Sequence, residues 1–89
     1  MPAISMFYGI VVYMYFLDNK KHKSAHIHCK YQGEEVVVRI PDGHVLEGAI
    51  SESKMKLLQA WIEIHKDELL ANWQLAESGS PLFKIDPLK

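Results

Sequence analysis

Three of the chain's five histidines and its only cysteine fall within ten residues, HKSAHIHCKY at 22–31. Imidazole and thiol side chains ligate transition metals, and imidazole also transfers protons near neutral pH. His26 and His28 stand two residues apart in a stretch that alternates like a β-strand. On a strand they project from one face with Cα atoms ~6–7 Å apart, close enough to converge on one metal ion or to flank one phosphate. His22 precedes them in a polar segment and could fold back as a third ligand. A closed zinc site needs four ligands, and strand parity turns Cys29 to the opposite face. The metal-binding module is therefore incomplete, with no metal-ligand set assigned and no cofactor expected. The proton-transfer reading makes His26 and His28 the general base and general acid across a phosphodiester. Lys30 and Arg39 on the same face would offset phosphate charge, giving ribonuclease-like chemistry. The plain alternative is a solvated polar face, or a helix-covered one with hydrogen-bonded histidines.

His65 lies between Trp61 and Leu69 on the apolar stripe of a helix, where a semi-buried histidine usually holds one hydrogen bond. If the helix crosses the sheet suitably, His65 meets His26 or His28 and completes a three-histidine catalytic set. Trp61 and Trp73 read as core aromatics, with Trp73 near the helix end a candidate partner anchor. His44, beside Gly43 in a turn, reads as solvated. Cys29, sharing a face with Ile27 and Tyr31, reads as a small core residue with no activating neighbour on its side.

The elements that must position these groups follow from period and punctuation. At 89 residues the chain is one domain, and 48% hydrophobic with 24% charged residues is the composition of a folded protein. Residues 4–17, ISMFYGIVVYMYFL, are rich in β-branched and aromatic side chains and read as one strand bent at Gly9, apolar on both faces. DNKKHKS reads as a mobile loop. AHIHCKY follows as a strand, Gln32-Gly33-Glu34 as a turn, and EVVVRI as the return strand with Val36, Val38 and Ile40 on one face. Pro41-Asp42-Gly43 signals another turn and VLEGAI a short strand, so the first half is a meander. Ser51 is the expected N-cap of a helix over 52–76, with Leu58, Trp61, Ile62, His65, Leu69 and Trp73 at spacings of three and four. A straight helix of that length would run ~37 Å, so a break is expected near His65-Lys66-Asp67. Gly79-Ser80-Pro81 ends it, and LFKIDPLK forms a docked strand or lies across the surface. The expected class is α+β: an antiparallel sheet of three to five strands with one long or broken helix packed on one face.

Ten Lys and Arg against eleven Asp and Glu give no global pull on nucleic acid, so RNA binding would need a local basic face such as Lys30 with Arg39. A single cysteine excludes an intramolecular disulfide and suits a reducing cytoplasm. The N-terminal apolar stretch lacks a basic leader and a small-residue cleavage site, and falls short of the ~18–20 apolar residues of a membrane span.

Several segments together, MPAISMFYGI, DNKKHKSAHIHCKY, DGHVLEG, LLQAWIEIHKDELLANWQLA and FKIDPLK, resemble the small prokaryotic proteins grouped as domain-of-unknown-function family 4160. The resemblance runs over essentially the whole chain. The family's Pro-His-x-His strand motif maps onto Ala25, His26, Ile27 and His28, with alanine replacing the usual proline and relaxing the backbone entering the strand. Its Trp-x-x-x-His segment maps onto Trp61 and His65, and its downstream tryptophan onto Trp73. The resemblance implies a toxin–antitoxin-like module and binding to a small protein partner encoded beside it; it assigns no reaction. A homodimer is a further expected arrangement, with a histidine-dependent ribonuclease-like enzyme or a His-based metal-binding module as the alternatives.

Overall fold

A computed structural model describes residues 3–15 and 24–88. The sheet begins with two tight hairpins. Strand β1 (Ala3–Phe7) turns through Tyr8-Gly9 into β2 (Ile10–Tyr13), with Phe7 opposite Ile10. Strand β3 (His26–Tyr31) turns through Gln32-Gly33 into β4 (Glu34–Arg39), with Tyr31 opposite Glu34. In each loop both residues have positive φ, 50° and 82° at Tyr8 and Gly9, 46° and 83° at Gln32 and Gly33. That is the type I′ pattern, whose twist matches the strands it joins. The run expected to be one strand from 4 to 17 is therefore, over its described part, a hairpin folded at Gly9; residues 16–17 lie outside the described residues. Its turn carries tyrosine where asparagine or aspartate is usual, inside an unbroken apolar run, so the sequence offers little punctuation there.

Strand β5 (Val45–Ala49) completes a five-stranded antiparallel meander in the order β1-β2-β3-β4-β5. Gly48 lies opposite Val36, and a Cβ there would sit 2.3 Å from the Glu35 carbonyl oxygen, so only glycine fits that approach. The expected loop before β3, with His22, lies outside the described residues.

Helix α1 (Glu52–Glu77) follows the sheet. Ser51 caps it, its hydroxyl accepting from the Lys54 amide at 3.5 Å, with Glu52 placed favourably in the first turn. Near its middle, His65 departs from helical geometry (φ −112°, ψ 21°), so the helix is kinked where a break was expected. At the other end the amides of Gly79 and Ser80 bond the carbonyls of Ala76 and Leu75, with Gly79 at φ 76°; this is a Schellman cap.

One sheet face, carrying Ile10, Val12, Ile27, Cys29, Val36 and Val38, is buried against Leu58, Trp61, Ile62 and Leu69 of α1. The Phe7 and Trp61 rings meet at 5.1 Å. Each such fully buried side chain contributes ~1.5–3 kcal/mol of transfer free energy, which makes this layer the main source of stability. The inward parity expected for Ile27, Cys29, Val36 and Val38 is what the fold adopts.

The tail is pinned rather than paired as a strand. The Asn72 side chain bonds both backbone groups of Phe83, donating at 2.8 Å and accepting at 3.1 Å. The Ile85 amide donates to the Ile4 carbonyl at 2.9 Å, and Trp61 Nε1 donates to the Asp86 carbonyl at 2.8 Å. Ile85 is buried. The tail thus closes the gap between β1 and α1.

Candidate functional site

Hairpin register sets the histidine face. His26 lies opposite Arg39, His28 opposite Val37, and Lys30 opposite Glu35. On the other side of β3, Tyr13 lies opposite His28 and Val11 opposite Lys30. The imidazoles of His26 and His28 meet edge-on with centroids 5.3 Å apart. Tyr15 stacks on His28 at 4.5 Å and an angle of 17°. Lys30 extends its ammonium over the Tyr13 ring, 5.4 Å from its centre.

Both rings are oriented through Nδ1. His26 Nδ1 lies 2.7 Å from the Ser24 carbonyl oxygen. A carbonyl only accepts, so Nδ1 carries the hydrogen and, in the neutral ring, Nε2 is the basic nitrogen. His28 Nδ1 faces Glu35 Oε2 at 3.4 Å, a longer contact to another acceptor that selects the same tautomer. The pair is nevertheless built into the packing. His26 is 0% exposed, against the Trp73 ring at 5.1 Å, and His28 is 7% exposed.

The pattern that defines the domain of unknown function DUF4160 matches residues 9–74, most of the chain. The protein belongs to this family. The match spans β2 through nearly all of α1 and includes His26, His28, Trp61, His65 and Trp73; β1 and the tail residues that bond it lie beyond it. No curated protein and no solved structure matches the chain.

In this DUF4160 domain Arg39 shares the histidine face but is already engaged. Its guanidinium forks onto Asp42, Nε donating to both carboxylate oxygens at 3.1 Å while Nη2 bonds Oδ2. That hydrogen bonding pulls the Asp42 carboxyl down to about 2 and raises the Arg39 guanidinium above its ordinary value. Asp42 Oδ1 also accepts from the His44 amide at 3.3 Å, while the His44 side chain stays exposed. An anion approaching His26 would compete with Asp42 for Arg39.

His65 is placed elsewhere. Its Nδ1 lies 2.5 Å from Glu68 Oε1 and its ring 5.6 Å from Trp61. His26 abuts Trp73, eight residues further along α1, or ~12 Å of helix. The structure brings His26 and His28 together and leaves His65 at the kink. Trp61 is fully buried and Trp73 nearly so, both packing within the fold. Burial, with Glu35 nearby, pushes the Cys29 thiol far above its usual range, so it stays protonated and inert. Among the described residues no three His, Cys, Asp or Glu side chains are placed to hold a metal ion, and no helix is long and apolar enough to cross a membrane.

Sequence reasoning missed Glu35, Tyr13 and Tyr15 as neighbours of the pair. The two-residue loop at 32–33 could have found Glu35: it sets Lys30 opposite Glu35 and places that carboxylate diagonally from His28. Tyr15 comes from beyond the end of β2, where no strand register reaches it.

Proposed function

We propose that this domain acts in the cytoplasm by binding a small protein partner encoded by a neighbouring gene, as one component of a toxin–antitoxin-like module. The observation that carries this reading is how the fold distributes its side chains. The histidines that would do chemistry are packed inside, whereas Met6, Tyr8, Val45, Ile64 and Phe83 are exposed. Large apolar side chains left exposed on so small a domain favour association. Strand β5 adds an outer sheet edge at which an extended segment can pair. Co-expression with the neighbouring gene product should yield a complex that survives size-exclusion chromatography. Separate elution of the two proteins would refute the reading.

A second reading, a histidine-dependent ribonuclease-like enzyme, is favoured by one specific observation: two adjacent imidazoles held in the tautomer that leaves Nε2 as base, with Lys30 and Arg39 on their face. It expects RNA cleavage or growth arrest that His28→Gln abolishes while the circular dichroism spectrum is retained. Unchanged cleavage in that variant would exclude it.

A further inference from the structure

The docked tail forms a ridge between two shallow grooves. On one side a groove of about 340 Å³ runs between the tail and β1, bordered by Ser5, Met6, Val11, Lys84, Asp86 and Pro87. On the other, a groove of about 330 Å³ is bordered by Ile64, His65, Asp86, Pro87 and Leu88. The grooves share Asp86 and Pro87, so they adjoin along the tail. Its two most exposed large apolar side chains are Met6, 65% exposed, and Ile64, 64% exposed. Lys84 and Asp86 flank the buried Ile85 on the crest, both exposed and neither side chain paired with another described residue. One positive and one negative side chain, two residues apart on an extended segment, form a self-complementary pair. An isologous two-fold contact requires that residue i meet j while j meets i, and an axis at Ile85 sets each copy's Lys84 against the other's Asp86.

We infer that this ridge is the face on which two copies of the chain meet, about a two-fold axis at Ile85, with reciprocal Lys84–Asp86 pairs over an apolar patch of Met6, Ile64 and Pro87. It deepens the partner-binding reading by making a second copy one partner, and rests on that reading only in using the same exposed surface. A standard interface takes ~800 Å² from each side. The whole chain exposes 5211 Å², so the ridge and its two grooves would have to supply about 15% of it. The main-chain pins from Asn72, Ile4 and Trp61 hold the ridge in place beforehand, which lowers the ordering cost of association.

Sedimentation equilibrium of the purified chain alone, across micromolar to millimolar concentrations, tests this without any second protein. The wild type should show a monomer–dimer equilibrium. Lys84→Glu and Asp86→Lys, each placing two like-charge contacts in the dimer, should each weaken it roughly tenfold or more. The double reversal should restore the dimer. An equimolar mixture of the two single variants should form a heterodimer, because one variant is then acidic at both positions and faces a partner that is basic at both. Ile64→Lys should abolish the dimer with an unchanged thermal melt, since Ile64 points to solvent. A wild type that stays monomeric at all concentrations overturns the inference. So does a dimer indifferent to the single reversals, or one that the double reversal fails to restore. None of these results bears on a complex with a neighbouring gene product, which is measured separately.

Discussion

Asn72 is the polar side chain on which docking of the tail depends most. It is fully buried and commits both ends of its amide to Phe83, donating to the carbonyl at 2.8 Å and accepting from the amide at 3.1 Å. Asn72→Ala removes two hydrogen bonds at about 1 kcal/mol each and leaves a small void under the tail. Water can reach the freed Phe83 groups only if the tail lifts. Lifting exposes Ile85, worth ~1.5–3 kcal/mol, and breaks the Ile85–Ile4 and Trp61–Asp86 bonds. The expected loss is therefore ~2–3 kcal/mol with the tail still docked, and more if it lifts. For a domain of this size that lowers Tm by roughly 10–20 °C. Urea denaturation gives the free energy, and amide exchange at Ile85 separates the two routes: lifting accelerates it, a strained docked tail does not. A loss below ~0.5 kcal/mol with Ile85 still protected would refute the reasoning, because it would mean that the other pins hold the tail unaided.

Gly48→Ala should cost at least ~3 kcal/mol in chemical denaturation, since its Cβ meets the Glu35 carbonyl oxygen at 2.3 Å and φ is 76°. Gly33→Ala, at φ 83° but with open space around it, should cost only ~1–2 kcal/mol. Cys29 should resist thiol reagents in the native state at pH 8 and react fully in denaturant, because its environment opposes the thiolate. The Asp42 carboxyl, lowered to about 2 by its hydrogen bond to Arg39, should support the fold above pH ~4 and lose that contribution as pH falls from ~4 to ~2. A carboxyl titration by NMR checks the value, and Asp42→Asn should remove this residue's share of the acid dependence of stability in that window.

What the sequence made legible was what repeats locally. The alternation of AHIHCKY placed Ile27 and Cys29 inward, and the three-and-four spacing of Leu58, Trp61, Ile62 and Leu69 located the buried stripe. Ser51 and Gly79 marked the ends of α1, and the excess length of the helix predicted its break at His65. The hairpin at Tyr8-Gly9 was missed because its turn lies inside continuous apolar sequence. In such a segment both faces are apolar, so neither alternation nor polarity reports the reversal of direction. The tail's pins were not legible for a different reason. Each joins a side chain to a backbone group 11 or 25 residues away, at Asn72–Phe83 and Trp61–Asp86, and a backbone acceptor has no residue-type signature.

The same limit explains the histidines. Parity correctly put His26 and His28 on one face of β3, and polarity alone left open whether that face was wet or covered. Polarity reports whether a side chain can hydrogen bond, not whether its partner is water. His26 meets the Ser24 carbonyl and Asn72 meets both backbone groups of Phe83, and each is fully buried at a place where chain outside regular structure passes the sheet or helix. A buried polar group with a fixed partner accepts few alternative geometries, because losing the bond in a low-dielectric setting costs more than losing it in water. His26 thereby holds the entry to β3 against Trp73 near the end of α1, as Asn72 holds the tail against the same helix. The motif Ala25-His26-Ile27-His28 thus has an architectural role through His26, whatever His28 does with its exposed fraction. His28, with Glu35 behind its Nδ1 and Tyr15 across its ring, is the more exposed member of the pair.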